Sequence, residues 1–140
     1  MLEGTRPIDL WMLAIELVIL LVIVGEAAIG IRRYYKRRPI LARLSKCMIS
    51  GQALQNAVPV SGVQDNSLTT WSESVKAWVG ETNTFLKKHS EGASSAFLQD
   101  RGGTSLRYGG VAWAVHDWYL TLLARLNNLR SIIEKPDVYF

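Results

Sequence analysis

One cysteine, Cys47, and two histidines, His89 and His116, are all that 140 residues offer in thiol and imidazole chemistry. A lone cysteine excludes an intrachain disulfide, and two histidines beside it are too few for a paired-ligand zinc array. A free thiol suits a reducing compartment. Equally absent are the HExxH spacing of zinc hydrolases, a GxSxG nucleophile elbow and the Gly-Lys-Ser/Thr that closes a phosphate-binding P-loop. His116 and Asp117 adjoin, but neighbours on a helix point ~100° apart and do not orient one another as a catalytic pair. His89 reads as a favourable helix-terminal residue. A Cys47, His89 and His116 catalytic group would need tertiary convergence that nothing in the spacing requires. The expectation is therefore a non-enzymatic protein with no metal and no cofactor.

Acidic residues are missing where they matter most. Arg32, Arg33, Lys36, Arg37, Arg38, Arg43 and Lys46 fall within fifteen positions that contain no Asp or Glu. Residues 1–50 carry eight Lys/Arg against four Asp/Glu, whereas residues 51–140 carry eight of each, so the formal +4 belongs to the first half. A neutral second half gives nucleic acid no extended basic surface, which disfavours that partner.

What is abundant is apolar sequence. Residues 10–31 read LWMLAIELVILLVIVGEAAIGI, 22 positions with Glu16 and Glu26 as the only charges. As a helix the stretch spans roughly 33 Å, against ~30 Å for the hydrocarbon core of a bilayer. Each acid would sit about 8 Å inside one end of the span and not at its centre. Asp9 and Glu16 share a face at ~100° per residue, with Glu26 about 80° round from Glu16. This polar side suits a helix that packs on a membrane partner or on a second copy, the alternative being a solitary helix that tolerates its acids near the interfaces.

A cleaved secretory signal fits less well. Arg6 is outweighed by Glu3 and Asp9, the run exceeds a typical apolar core, and Glu26 stands where small residues are wanted. A buried core helix would need a larger domain around it than the rest of the chain supplies. The expected arrangement is a single-pass signal-anchor. Basic residues beyond the span place the C-terminal part in the cytoplasm and the short tail 1–9 outside. Trp11 at one end and Tyr34 with Tyr35 at the other match interfacial aromatic belts, and Arg32, Arg33, Lys36, Arg37 and Arg38 would meet anionic head groups of the bilayer. Basic residues interleaved with tyrosines can also hold a nucleic acid, a use that the adjacent span makes the weaker one.

Pro39 suits the first turn of a new helix. Ile40, Leu41, Leu44, Cys47 and Met48 then share a side, which predicts a short amphipathic juxtamembrane helix within the segment 32–55. Cys47 is expected to be a small buried hydrophobe, with palmitoylation the alternative. Residues 56–69 read as a connector, marked by Pro59, Gly62 and the Asp65, Asn66, Ser67 group.

Residues 70–135 carry a helical domain. Thr70 and Glu73 have capping-box spacing, and Trp71, Val75, Trp78, Thr82 and Phe85 recur at intervals of four and three, predicting a helix of roughly 19 residues. Ala93 to Gln99 is a short helical piece carrying Phe97 inward. The segment Arg101–Gly110, RGGTSLRYGG, reads as an interhelical loop; its glycines with Arg101 and Arg107 form a weaker anion-cradle candidate. Val111 to Lys135 is the strongest soluble helix, with Val115, Trp118, Leu122, Leu126, Leu129 and Ile133 on one face, broadened by Trp113, Tyr119, Leu123 and Ile132. Arg130 and Glu134, four apart, form a weak pair, and Pro136 ends the run. This helix is expected to pack antiparallel on the Trp71 helix around a tryptophan-rich core, with 136–140 a tail and its Asp137–Phe140 end a docking candidate.

The sequence thus predicts an all-α chain: one N-terminal transmembrane helix, a short amphipathic helix and a small antiparallel helical domain. Its expected role is an interaction or scaffold module in a membrane complex or homo-oligomer. Two alternatives follow from single features. The tryptophans at 71, 78, 113 and 118 suggest a ligand-sensing module; the acids in the span with the basic collar suggest a membrane-perturbing, toxin-like or lysis-related protein.

Overall fold

The computed structural model describes residues 7–60, 65–100 and 110–140. Five α-helices are present among them: α1 Pro7–Asn56, α2 Asp65–His89, α3 Glu91–Leu98, α4 His116–Glu134 and α5 Pro136–Tyr139, with a 3-10 turn at Trp113–Val115. The chain is all-α, with one long apolar N-terminal helix and several smaller ones. By internal contacts it divides into two compact units, Met1–Pro39 and Ile40–Phe140.

The first unit holds the apolar part of α1. The second is a packed helical core. Leu44 of α1, Val75 and Leu86 of α2, Phe97 of α3, and Leu122, Leu129 and Ile132 of α4 all have no exposed surface. Fully burying an aliphatic or aromatic side chain contributes about 1.5–3 kcal/mol. Seven such residues from four helices therefore account for much of what holds a domain of this size.

Pro39 does not start a separate helix. It lies inside α1, which continues through it to Asn56. A mid-helix proline removes one backbone hydrogen bond and crowds the carbonyl four residues back. Helix-forming Arg and Lys residues before it, and the burial of Ile40 and Leu44 after it, keep the chain helical on both sides. The proline instead marks the boundary between the two units.

α2 begins at Asp65, five residues before the expected capping box. Asp, Asn and Ser favour helix starts as much as turns, because their short polar side chains bond nearby free amides. Thr70 accordingly sits inside the helix, its Oγ1 donating to the Asn66 carbonyl at 2.8 Å. α3 follows after one residue; Ser90 is its N-cap and accepts a hydrogen bond from the Ala93 amide at 3.2 Å.

α4 begins five residues later than the hydrophobic pattern suggests. Gly110 takes φ +89°, a left-handed conformation that side chains resist. Val111 then pairs with Val60 in an isolated antiparallel bridge, and the Ala112 amide donates to the Pro59 carbonyl at 3.0 Å. An apolar valine thus reads equally well as helix or as extended chain, and its tertiary partner decides.

The same bridge sets the packing sense. Val60 lies five residues before α2 and Val111 five before α4, so both helices start from the same end of the unit. Leu68 and Thr69 share a depression with Ala114 and Val115, and Trp78 and Leu126 both meet Gly51, so neighbouring positions rise together along the two helices. The antiparallel α2/α4 pairing expected from the sequence is therefore not what forms. It is the last part of α1 that runs opposite to α2: Trp71 Nε1 donates to Leu54 O at 2.9 Å and Trp78 Nε1 to Cys47 O at 2.8 Å, partners that fall in number as those on α2 rise.

Candidate membrane and interaction surfaces

The first unit presents a long, mainly apolar surface. Leu10, Trp11, Met12, Leu13, Ile15 and every Leu, Ile and Val from Leu17 to Ile31 are more than half exposed. α1 is long and apolar enough to cross a membrane, and among the described residues none buries its most apolar window. Glu16 and Glu26 are likewise exposed on this stretch. At the basic end Arg32, Arg33, Lys36 and Arg38 are exposed and Arg37 is half-buried. Tyr34 and Tyr35 meet edge to face with centroids 5.7 Å apart, an arrangement aromatic rings favour.

In the second unit the tryptophans part company. Trp71 and Trp78 are buried; Trp78 stacks edge-on against Phe97 at 5.9 Å, and each indole N–H is satisfied by a carbonyl of α1. Trp118 is half-buried against the core beneath Lys76, whereas Trp113 is 69% exposed. Two of the four are thus core residues, and the four do not line one pocket. Val75, Val115, Leu122, Leu126 and Leu129 are buried, and Phe85 is half-buried with its ring 4.7 Å from that of His89. His116 is buried beside the Trp113 ring at 5.9 Å. The terminal Tyr139 and Phe140, within and after α5, are half-buried against the core.

Two polar residues that the apolar pattern passes over tie α4 to α3. Asn128 Nδ2 donates to the carbonyls of Phe97 at 3.0 Å and Gln99 at 2.8 Å. Arg125 donates to Gln99 O at 3.2 Å and pairs with Asp100 at 2.9 Å. The last carbonyls of a helix lack partners within it, so these side chains close the open end of α3. Their signal was available: Arg125 takes the i+3 place after Leu122, where a core-facing helix normally has an apolar residue.

Concave sites among the described residues of the second unit include the following. One of about 100 Å³ is bordered by Arg43, Lys46, Ser50, Glu81, Thr82 and neighbouring ring atoms. A wider depression of about 370 Å³ lies between α2 and the start of α4, including Lys76 and Trp118. Another of about 370 Å³, mostly apolar, runs along Met48, Ile49 and Ile133. No cluster of His, Cys, Asp and Glu among the described residues can hold a metal ion. The anion cradle considered at Arg101 and Arg107 lies outside the described residues. Comparison with protein-family models, curated proteins and solved structures finds no match.

Proposed function

We propose that the chain is a membrane-anchored, non-enzymatic interaction or scaffold module, working as a homo-oligomer or as a subunit of a membrane complex. Residues 10–31 cross the bilayer once, with the N-terminus outside, and the basic residues from Arg32 hold the helical unit at the cytoplasmic face through anionic head groups.

The observation that carries this reading is the bare apolar surface of α1 in a chain whose second unit already has its own core. None of the most apolar window is covered by the described residues, so lipid or another protein is the natural cover. The energetics explain why both are invoked. Thirteen Leu, Ile and Val residues lie between positions 10 and 31. At about 0.3–0.6 kcal/mol each they favour insertion by on the order of 6 kcal/mol. Two charged acids, at roughly 2.5–3.5 kcal/mol each for a comparable charge at mid-bilayer and less nearer the ends, offset much of that gain. Insertion is then comfortable once Glu16 and Glu26 are shielded by a neighbouring helix, which makes the acids an association device.

Native mass measurement of the full chain extracted from membranes, with crosslinking before extraction, tests the role. A defined oligomer or a stoichiometric co-purifying subunit is expected. Isolated monomers with no partner would overturn it.

A further inference from the structure

We propose that the groove between α1 and α2 bordered by Arg43, Lys46, Ser50, Glu81 and Thr82 binds a phosphate group that carries an ionisable P–OH: inorganic phosphate or a phosphomonoester.

The starting point is a hydroxyl out of place. Thr70, Ser72, Ser74 and Thr84 of α2 each donate to the carbonyl four residues back, at 2.8–2.9 Å. This is the usual resting bond of a helical hydroxyl. Thr82 makes no such bond. Its residue is 1% exposed, its Oγ1 is buried without a partner, and it borders the groove. Buried polar atoms are normally satisfied, and one that is not asks for a ligand.

A polar stripe on α1 lines the same groove. Arg43, Lys46 and Ser50 fall at i, i+3 and i+7, one face of a helix, and all three border the groove. Among the described residues neither cation is held in an ion pair, although Glu81 borders the same space. Guanidinium, ammonium and two hydroxyls are the donor set that phosphate oxygens take. Trp78 forms part of the wall; its N–H is committed to Cys47 O, so the ring offers shape and no further donor.

Size and charge narrow the ligand. About 100 Å³ is well under the ~300 Å³ at which pockets for larger ligands begin. A tetrahedral oxyanion fits and a whole nucleotide does not. Glu81 repels a fully ionised anion but accepts from an O–H. Phosphate and phosphomonoesters, with a second pKa near ~6, retain that proton in part at neutral pH; sulfate and phosphodiesters do not have it. The carboxylate thus selects phosphate over sulfate.

The test uses the full chain in nanodiscs of a zwitterionic phosphodiester lipid, following the Trp78 indole N–H resonance. Inorganic phosphate should shift it saturably, and at least tenfold more sulfate should be needed for the same occupancy. The Arg43→Gln/Lys46→Gln variant should lose at least tenfold in affinity. Thr82→Val should lose severalfold and Thr82→Ser recover it, with thermal midpoints recorded to show that all remain folded. Glu81→Gln should abolish the preference over sulfate. A second arm replaces added phosphate with phosphatidic acid in the disc: a shift there alone assigns the site to a lipid phosphomonoester, and a shift with free phosphate assigns it to a soluble one. No saturable shift in either arm, equal response to phosphate and sulfate, or undiminished binding by the double variant would overturn the proposal.

Discussion

Replacing Gly51 by alanine should destabilise the helical unit even though alanine is the better helix former. A Cβ at position 51 would lie 2.5 Å from Trp78 Cζ2, 2.8 Å from Trp78 Cε2 and 2.6 Å from Leu126 Cδ2. Carbon atoms prefer about 3.5–4.0 Å, so α1 and its neighbours would have to part by about 1 Å. Trp78 cannot turn aside freely, because its indole is bonded to Cys47 O at 2.8 Å and packed on Phe97. Overpacking costs typically about 1–3 kcal/mol, and loss of the indole bond adds about 1. Removing a helical glycine returns about 1 kcal/mol. The balance is a net loss of about 1–3 kcal/mol, and for a unit of this size each 1 kcal/mol lowers Tm by about 4–8 °C. Gly80→Ala is the internal control, since a Cβ there meets nothing within 4 Å. It should stabilise by about 0.5–1 kcal/mol. Thermal unfolding of both variants in the same detergent, followed by far-UV circular dichroism, compares them directly. A Gly51→Ala midpoint at or above wild type would refute the three-helix contact on which this reasoning rests.

Other changes probe separate parts of the account. Asn128→Ala strips the amide from the Phe97 and Gln99 carbonyls and should cost about 2–4 kcal/mol in denaturant unfolding. Trp71→Ala should cost about 3–5 kcal/mol, whereas Trp113→Ala, at a 69% exposed side chain, should stay within about 0.5 kcal/mol of wild type. Glu16→Leu/Glu26→Leu should hold the chain in the membrane at least as firmly while shifting the crosslinked assembly towards monomer; unchanged assembly would separate the acids from association.

The all-α class and the long apolar helix were legible because both rest on periodicity and length, which are local. Trp71, Val75 and Trp78, spaced four and three apart, occupy buried positions for the same reason. What local pattern could not carry were choices made by tertiary partners. Val111 and Ala112 are as apolar as their helical neighbours, yet Val60 and Pro59 hold them extended. That one bridge starts α2 and α4 from the same end, and no spacing within either helix encodes it. Pro39 stays inside α1 because Ile40 and Leu44 are buried beyond it. Trp113 shares the helical spacing of a core residue but precedes α4, in a 3-10 turn whose different pitch leaves it outside. The groove at Thr82 was invisible for another reason: its parts come from α1 and α2, some 28–42 residues apart in sequence.

Membrane crossing by residues 10–31 is the central claim, and the single native cysteine makes it directly measurable. In a Cys47→Ser background, one cysteine is placed in turn at each position from Asp9 to Lys36 and reacted, in sealed membranes, with a maleimide that cannot cross the bilayer. The account predicts reaction from outside at Asp9, a protected window through the middle of the apolar run, and reaction only from the cytoplasmic side from Arg32 onwards. Uniform reactivity along the helix, or access to both flanks from one side, would contradict it.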